Sequence, residues 1–251
     1  MTPEPNNAST PEPQGMSSIS RVIGVFFEPT KTFADIAARP NWFLPLALVI
    51  LSALAFSVSI GQRVGFDRIV DQQTASRLAN ASPDQRAQME KGIEMQKRFA
   101  PIGWYVGSLL GPPIVTLICS LVLMGIVSGI LSAGLKYKQV FSIFCYSAMP
   151  GLVSVLLIIV VMYLKPPDDF NIRNPLAFNP AAFMDPNTTS KFLYSLASWF
   201  DVFVIWRVLL LAVGFKAAAP KKLTMGSALF AVLLPFAVIV LGSAAFSSMF
   251  G

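Results

Sequence analysis

The chain has 251 residues, of which 54% are hydrophobic and only 13% charged, where soluble domains carry about 25% charged residues. The apolar excess sorts into several long runs, which excludes a single soluble core and predicts an all-α, polytopic transmembrane helical bundle. The net charge of +6 calls for no nucleic-acid partner, because Lys and Arg cluster at the ends of apolar segments, as membrane topology requires.

Residues 1–16 are rich in Pro, Asn and Glu and read as a disordered tail. They lack the basic and apolar regions of a cleaved signal peptide. Residues 17–250 read as one membrane domain. Its entry stretch carries Ile19, Val22, Ile23, Phe26 and Phe27 at helical spacing up to Pro29. A second short turn with Phe33 and Ile36 ends before Pro40. Neither piece is long enough to span. They are expected either to lie in the membrane interface or to pack on the protein's own membrane domain.

The first span is expected at 42–61, with Trp42 at the interface and Pro45 in the first turn. Residues 62–100 hold seven Lys/Arg and five Asp/Glu and predict a charged extramembrane helical hairpin. Ser82-Pro83-Asp84-Gln85 is a helix start with a capping box, and Pro101 is expected to stop that helix. The second span covers 102–134. There Gly103, Gly107 and Gly111, then Gly125 and Gly129, are spaced for helix packing, first inside the monomer and otherwise at a dimer seam or along a broken helix lining a pathway, and Pro112-Pro113 is expected to kink or split the helix. The third span, 139–164, is interrupted near Pro150-Gly151. A loop rich in Pro and Asn follows, in which Asp168 and Asp169 are expected in turns rather than on a cation.

The fourth span, 191–213, places Asp201 near its middle, about 15 Å deep. Tyr146, Ser142 or Ser147 of the third span are its expected partners. Arg207, roughly 120° further around the helix, is expected to snorkel to the surface. The fifth span covers 224–249, and the chain ends at Gly251 with no expected C-terminal domain. Five spans put the termini on opposite sides. The compact loops with Lys136 and Lys138, and with Lys216, Lys221 and Lys222, argue for a cytoplasmic N-terminus and an external C-terminus. A raw count runs the other way, with ten basic residues outside against eight inside.

No His is present, which removes the commonest general base and metal ligand. Cys119 and Cys145 both lie in apolar runs, so no disulfide framework is expected. The chain contains no GxSxG, GxxxxGK[ST] or HExxH motif and no Cys pair at metal spacing. The expectation is a non-enzyme with no catalytic residue, cofactor or metal.

Pro29, Phe33, Ile36, Pro40, Trp42 and Pro45, then Tyr146 with Pro150 in YSAMPG, then Asp201 to Trp206 with Gly214, resemble the pattern of the Yip family, in a bacterial-type member. The resemblance covers about residues 18–250. It implies five spans and a cytosolic N-terminus. Eukaryotic relatives are associated with Rab-type GTPases and vesicle membranes, but the resemblance implies no molecular function for bacterial-type members. The insert 62–100 departs from the compact eukaryotic arrangement. Two functions follow as expectations for a protein of a bacterial inner membrane. The first is an adaptor or membrane organiser with a partner at the N-terminal segment or the 62–100 insert, or a second copy of itself. The second is a transporter of ions, small solutes or lipid that uses Asp201. Asp201, with Trp206, Tyr146 and Pro150, is the candidate motif, first as a packing anchor and second as part of a pathway.

Overall fold

The computed structural model describes residues 15–79, 81–172, 174–185 and 188–250. The tail expected over 1–16 lies, up to residue 14, outside the described residues. Ten α-helices build the fold, and no strand occurs among the described residues. Four helices are long and apolar enough to cross a membrane, and there are five if the bent pair of α-helices over 191–218 crosses as one span. The architecture is a polytopic helical bundle.

The entry stretch folds as α1 (Ser18–Phe27) and α2 (Pro29–Ala38), joined through Glu28 alone. Ser17 caps α1 by accepting from the Ser20 N–H. The hairpin packs on the bundle, which settles the alternative left open by the sequence. Thr32, Phe33, Ile36 and Ala37 are all buried. α1 shows two stripes: Arg21 and Val25 face inward, while Ile19, Ile23 and Phe27 are 54–79% exposed. The first span is α3 (Phe43–Arg63).

The charged insert begins with α4 (Phe66–Ala79) and continues into α5 (Pro83–Met124). The expected capping box is present: the Ser82 hydroxyl accepts from the Gln85 N–H, and the Gln85 side chain accepts from the Ser82 N–H. Pro101 does not stop this helix, and Pro112-Pro113 does not split it. All three lie inside one 42-residue helix, extended by a π-turn over Gly125–Ile130. A proline removes one backbone hydrogen bond, and a helix already nucleated on both sides carries that loss in an apolar setting. Extramembrane hairpin and second span therefore share a single rod.

The third span is α6 (Tyr137–Ser147) and α7 (Met149–Leu164), interrupted at Ala148 just before Pro150. The fourth is α8 (Lys191–Ser198) and α9 (Val202–Ala218), bent by 55°, not one straight helix. α10 (Met225–Phe250) is the fifth.

Two cores hold these elements. One gathers Phe33, Ile36, Ile143, Tyr146, Leu211 and Phe215 from α2, α6 and α9 at the end rich in lysine. The other gathers Ile60, Ile69, Met162 and Phe170 at the opposite end. There Arg63 donates to the carbonyls of Met162 and Lys165 at the end of α7, and Gln72 bonds the Phe170 carbonyl. Asp168 pairs with Arg68 at 3.0 Å, within a turn as expected.

The glycine expectation fails within the chain. A Cβ built on Gly103, Gly107, Gly111, Gly125 or Gly129 meets nothing within 4 Å. Helices approach closely at Gly214 instead, where a Cβ would stand 2.6 Å from Ile143 Cγ2 and 3.1 Å from Phe33 Cδ1. This makes a matched test. Both Gly103→Ala and Gly214→Ala gain helix propensity, about 1 kcal/mol, but only the second meets neighbouring atoms. Thermal unfolding in detergent should show Gly103→Ala neutral or stabilising and Gly214→Ala destabilised by about 1–3 kcal/mol. Equal midpoints for the two variants would remove Gly214 as the seat of the bundle.

Candidate functional site

α2 lies parallel to α9 with two fixed points. Phe26, at the hairpin tip, meets the Trp206 ring edge-on at 5.6 Å, and Phe33 sits against Gly214. Trp206 is ten positions from Lys216, or about 15 Å along the helix. Lys216 marks the end rich in lysine and donates to the carbonyls of Pro220 and Leu223. The hairpin thus enters from that end and turns back about 15 Å along α9 from Lys216.

A buried ion pair ties the hairpin to itself. Arg21 Nε donates to Asp35 Oδ2 at 2.7 Å, with side chains 5% and 13% exposed. Arg21 also donates to the Arg39 carbonyl, and Arg39 bonds the second Asp35 oxygen at 3.1 Å. α1 can approach α2 this closely because Gly24 faces Thr32 without a side chain of its own. Gln139 of α6 donates to the Ala37 carbonyl at 2.8 Å, and Trp42 packs edge-on against Phe141. These contacts dock the hairpin onto the third span.

Tyr146 is fully buried beneath this assembly. Its hydroxyl faces Arg21 and Ser18 but closes no hydrogen bond, and the buried hydroxyls of Thr32 and Ser142 are likewise unpaired. Ser147 donates to the Phe144 carbonyl within its own helix. None of the three residues expected to hold Asp201 does so.

Asp201 instead caps a helix. It is the N-cap of α9, accepting from the Phe203 N–H at 2.8 Å, while the Val202 N–H goes to the Phe178 carbonyl of the preceding loop. Fifteen positions separate it from Lys216, about 22 Å along the helix axis, and it stands where the chain leaves α8 and enters α9. Its carboxylate satisfies an N-terminal donor that a broken helix would otherwise leave unpaired. Trp199, just before the break, donates to Ser243 at 2.7 Å and holds α8 on α10.

The structure therefore separates the four candidates. Tyr146 and Trp206 belong to the hairpin seat, Pro150 opens α7 below it, and Asp201 lies elsewhere. Asp35 and the pairing of Arg21 escaped the sequence reading. Their signal was present: Arg21 and Val25 form a second stripe opposite Ile19, Ile23 and Phe27, as in a helix with a protein face and a lipid face. Among the described residues no cluster of His, Cys, Asp or Glu is arranged to hold a metal ion.

The gathering of Pro29, Phe33, Tyr146, Trp206 and Gly214 around one docked hairpin is matched by the comparison with known families. The Yip1 domain profile matches residues 23–246, from the middle of α1 to the last turns of α10. The chain belongs to the Yip1 family. No curated protein and no solved structure matches it. Within this Yip1 domain, family membership and the apolar helices together make a multi-pass integral membrane protein in contact with the bilayer.

Two outcomes are expected from substitution. Asp35→Ala leaves the Arg21 cation buried and unpaired, a loss of about 3–5 kcal/mol. Arg21→Met with Asp35→Leu removes both charges and should cost much less; hydrogen exchange over α1 and α2 reads the difference. Asp201→Ala should destabilise the first turn of α9 by about 1 kcal/mol, whereas Asp201→Asn, also a good cap, should leave its exchange nearly unchanged.

Proposed function

We propose that this Yip1-family chain is a non-catalytic membrane-organising protein of a bacterial inner membrane, with the hairpin and its lysine-rich end on the cytoplasmic side and the C-terminus outside. One observation carries the reading. The α1–α2 hairpin turns back beside Trp206, partway along α9, with its outer stripe of Ile19, Ile23 and Phe27 exposed; set in a bilayer, it would add cross-section to one leaflet only. A wedge confined to one leaflet favours curved membrane. The basic connections with Lys136 and Lys138 and with Lys216, Lys221 and Lys222 support the orientation. The charged rod of α5, exposed along residues 83–99 apart from half-buried turns, offers a surface for a protein partner at the other face.

In giant vesicles of phosphatidylethanolamine and phosphatidylglycerol, the full-length chain should concentrate on thin tubules pulled from the flat membrane. Replacing Ile19, Ile23 and Phe27 with Ser, which removes no buried contact, should return it to even partition. Even partition of the unmutated chain would end the proposal. A reporter fused after Gly251 should give no cytoplasmic signal; a cytoplasmic signal inverts the orientation.

The bent fourth span favours one second reading, transport. Helices broken within a membrane line ion and solute pathways, and α8 and α9 break at a carboxylate. Reconstituted vesicles would then show flux of an ion, solute or labelled lipid that Asp201→Asn alters, and an unmutated chain without flux excludes this reading.

A further inference from the structure

Three charged side chains stand near the depth of Trp206. Glu28 and Lys31, at the hairpin tip, are paired with each other at 2.9 Å and well exposed. Arg207 is different. Nine positions from Lys216, about 13 Å along α9, it is half-buried and makes no ion pair or hydrogen bond among the described residues. Its guanidinium lies over the Phe144 ring, 4.4 Å from the centroid. The titratable groups facing it are two thiols, Cys119 of α5 and Cys145 of α6. Its nitrogens are not among the sealed, unpartnered polar atoms of the chain, so they border open space. That space is a seam: α5 and α9 both pack on α6 and hardly on each other.

A cation at mid-membrane without a counter-charge is costly, and a ring face recovers only part of that cost. A partner is required that carries negative charge and reaches this depth. We propose that Arg207 binds the phosphate of a phospholipid drawn into the seam between α5 and α9. The guanidinium presents a fork of donors that matches phosphate oxygens in pairs. The exposed Ile118 and Val122 of α5, with the half-buried Val204 one turn before Arg207 on α9, leave apolar walls for acyl chains. A free phosphate ion shares the head-group chemistry but has no use for those walls. A bound phosphate here would sit well below its usual level and thin the leaflet locally. The inference is independent of the leaflet-wedge reading, because its test reads lipid retention and not membrane shape.

The test is native mass spectrometry of the full-length protein in mild detergent, titrated separately with phosphatidylglycerol, diacylglycerol and inorganic phosphate. The unmutated chain should retain one phosphatidylglycerol that Arg207→Gln binds about tenfold more weakly or worse. Arg207→Lys should hold it at an intermediate level, and diacylglycerol should not be retained. Equal retention by the unmutated chain and Arg207→Gln overturns the proposal, as does equal retention of diacylglycerol. Displacement of the lipid by inorganic phosphate assigns the site to a free anion and overturns the lipid assignment. Should Arg207→Gln not fold, phosphatidylglycerol with a photoreactive head group is used on the unmutated chain. Labelling confined to residues 115–122, 144–148 and 204–210 supports the site, and labelling only elsewhere overturns it.

Discussion

The absence of a side chain at Gly214 is the constraint on which the membrane domain rests. It lets α9 approach Ile143 and Phe33 closely enough for three helices to share one seam. Dispersion falls steeply with separation, so a seat of this kind either closes fully or gains little. Once it closes, Phe33, Ile36 and Phe215 are sealed, and the entry stretch becomes part of the bundle. The ion pair of Arg21 with Asp35 then has its purpose: it cross-links two short helices, neither stable alone at ten residues each. A buried pair is a poor source of net stability but a strong enforcer of one arrangement, since every alternative strands a charge.

The two membrane ends are built on different physics. At the lysine-rich end, apolar packing and a buried ion pair hold a hairpin within half of the bilayer. At the other end, cross-connections do the holding: Arg63 onto the last carbonyls of α7, Gln72 onto the Phe170 carbonyl, Arg68 onto Asp168. The rod of α5 joins the two ends. Its length makes the charged insert an extension of a spanning helix that continues through Pro101. Charge inside the membrane is handled in three separate ways. Asp201 is absorbed by a helix N-terminus, Glu28 and Lys31 neutralise each other, and Arg207 has only an aromatic face.

Much of the architecture was legible because its causes are local. Five apolar runs of membrane length, the Ser82 capping box, the interruption by Pro150 and the two short entry helices each depend on residues within a few turns of one another. Prolines misled for a related reason. Pro101, Pro112 and Pro113 break isolated helices in water, but a long apolar helix flanked by ordered turns absorbs the missing hydrogen bonds. The glycines misled because spacing shows which residues share a face and not which face meets another helix. Gly103, Gly107 and Gly111 line up and look outward, while single Gly214 carries the contact.

Asp201 shows where sequence alone stopped. Counting along an unbroken helix put it at mid-membrane and demanded a partner from another span. The bend at residues 199–201 made it the cap of a new helix, and the backbone of its own helix became the partner. Composition and periodicity, which depend on solvent transfer and helical repeat, determined by themselves that this is a helical membrane protein with several crossings and a short helical entry segment. Tertiary structure alone decided how deep each charge lies and what neutralises it. Depth depends on where helices bend and which faces meet, and those are set by packing between separate elements, such as Trp199 on Ser243 and Phe33 on Gly214.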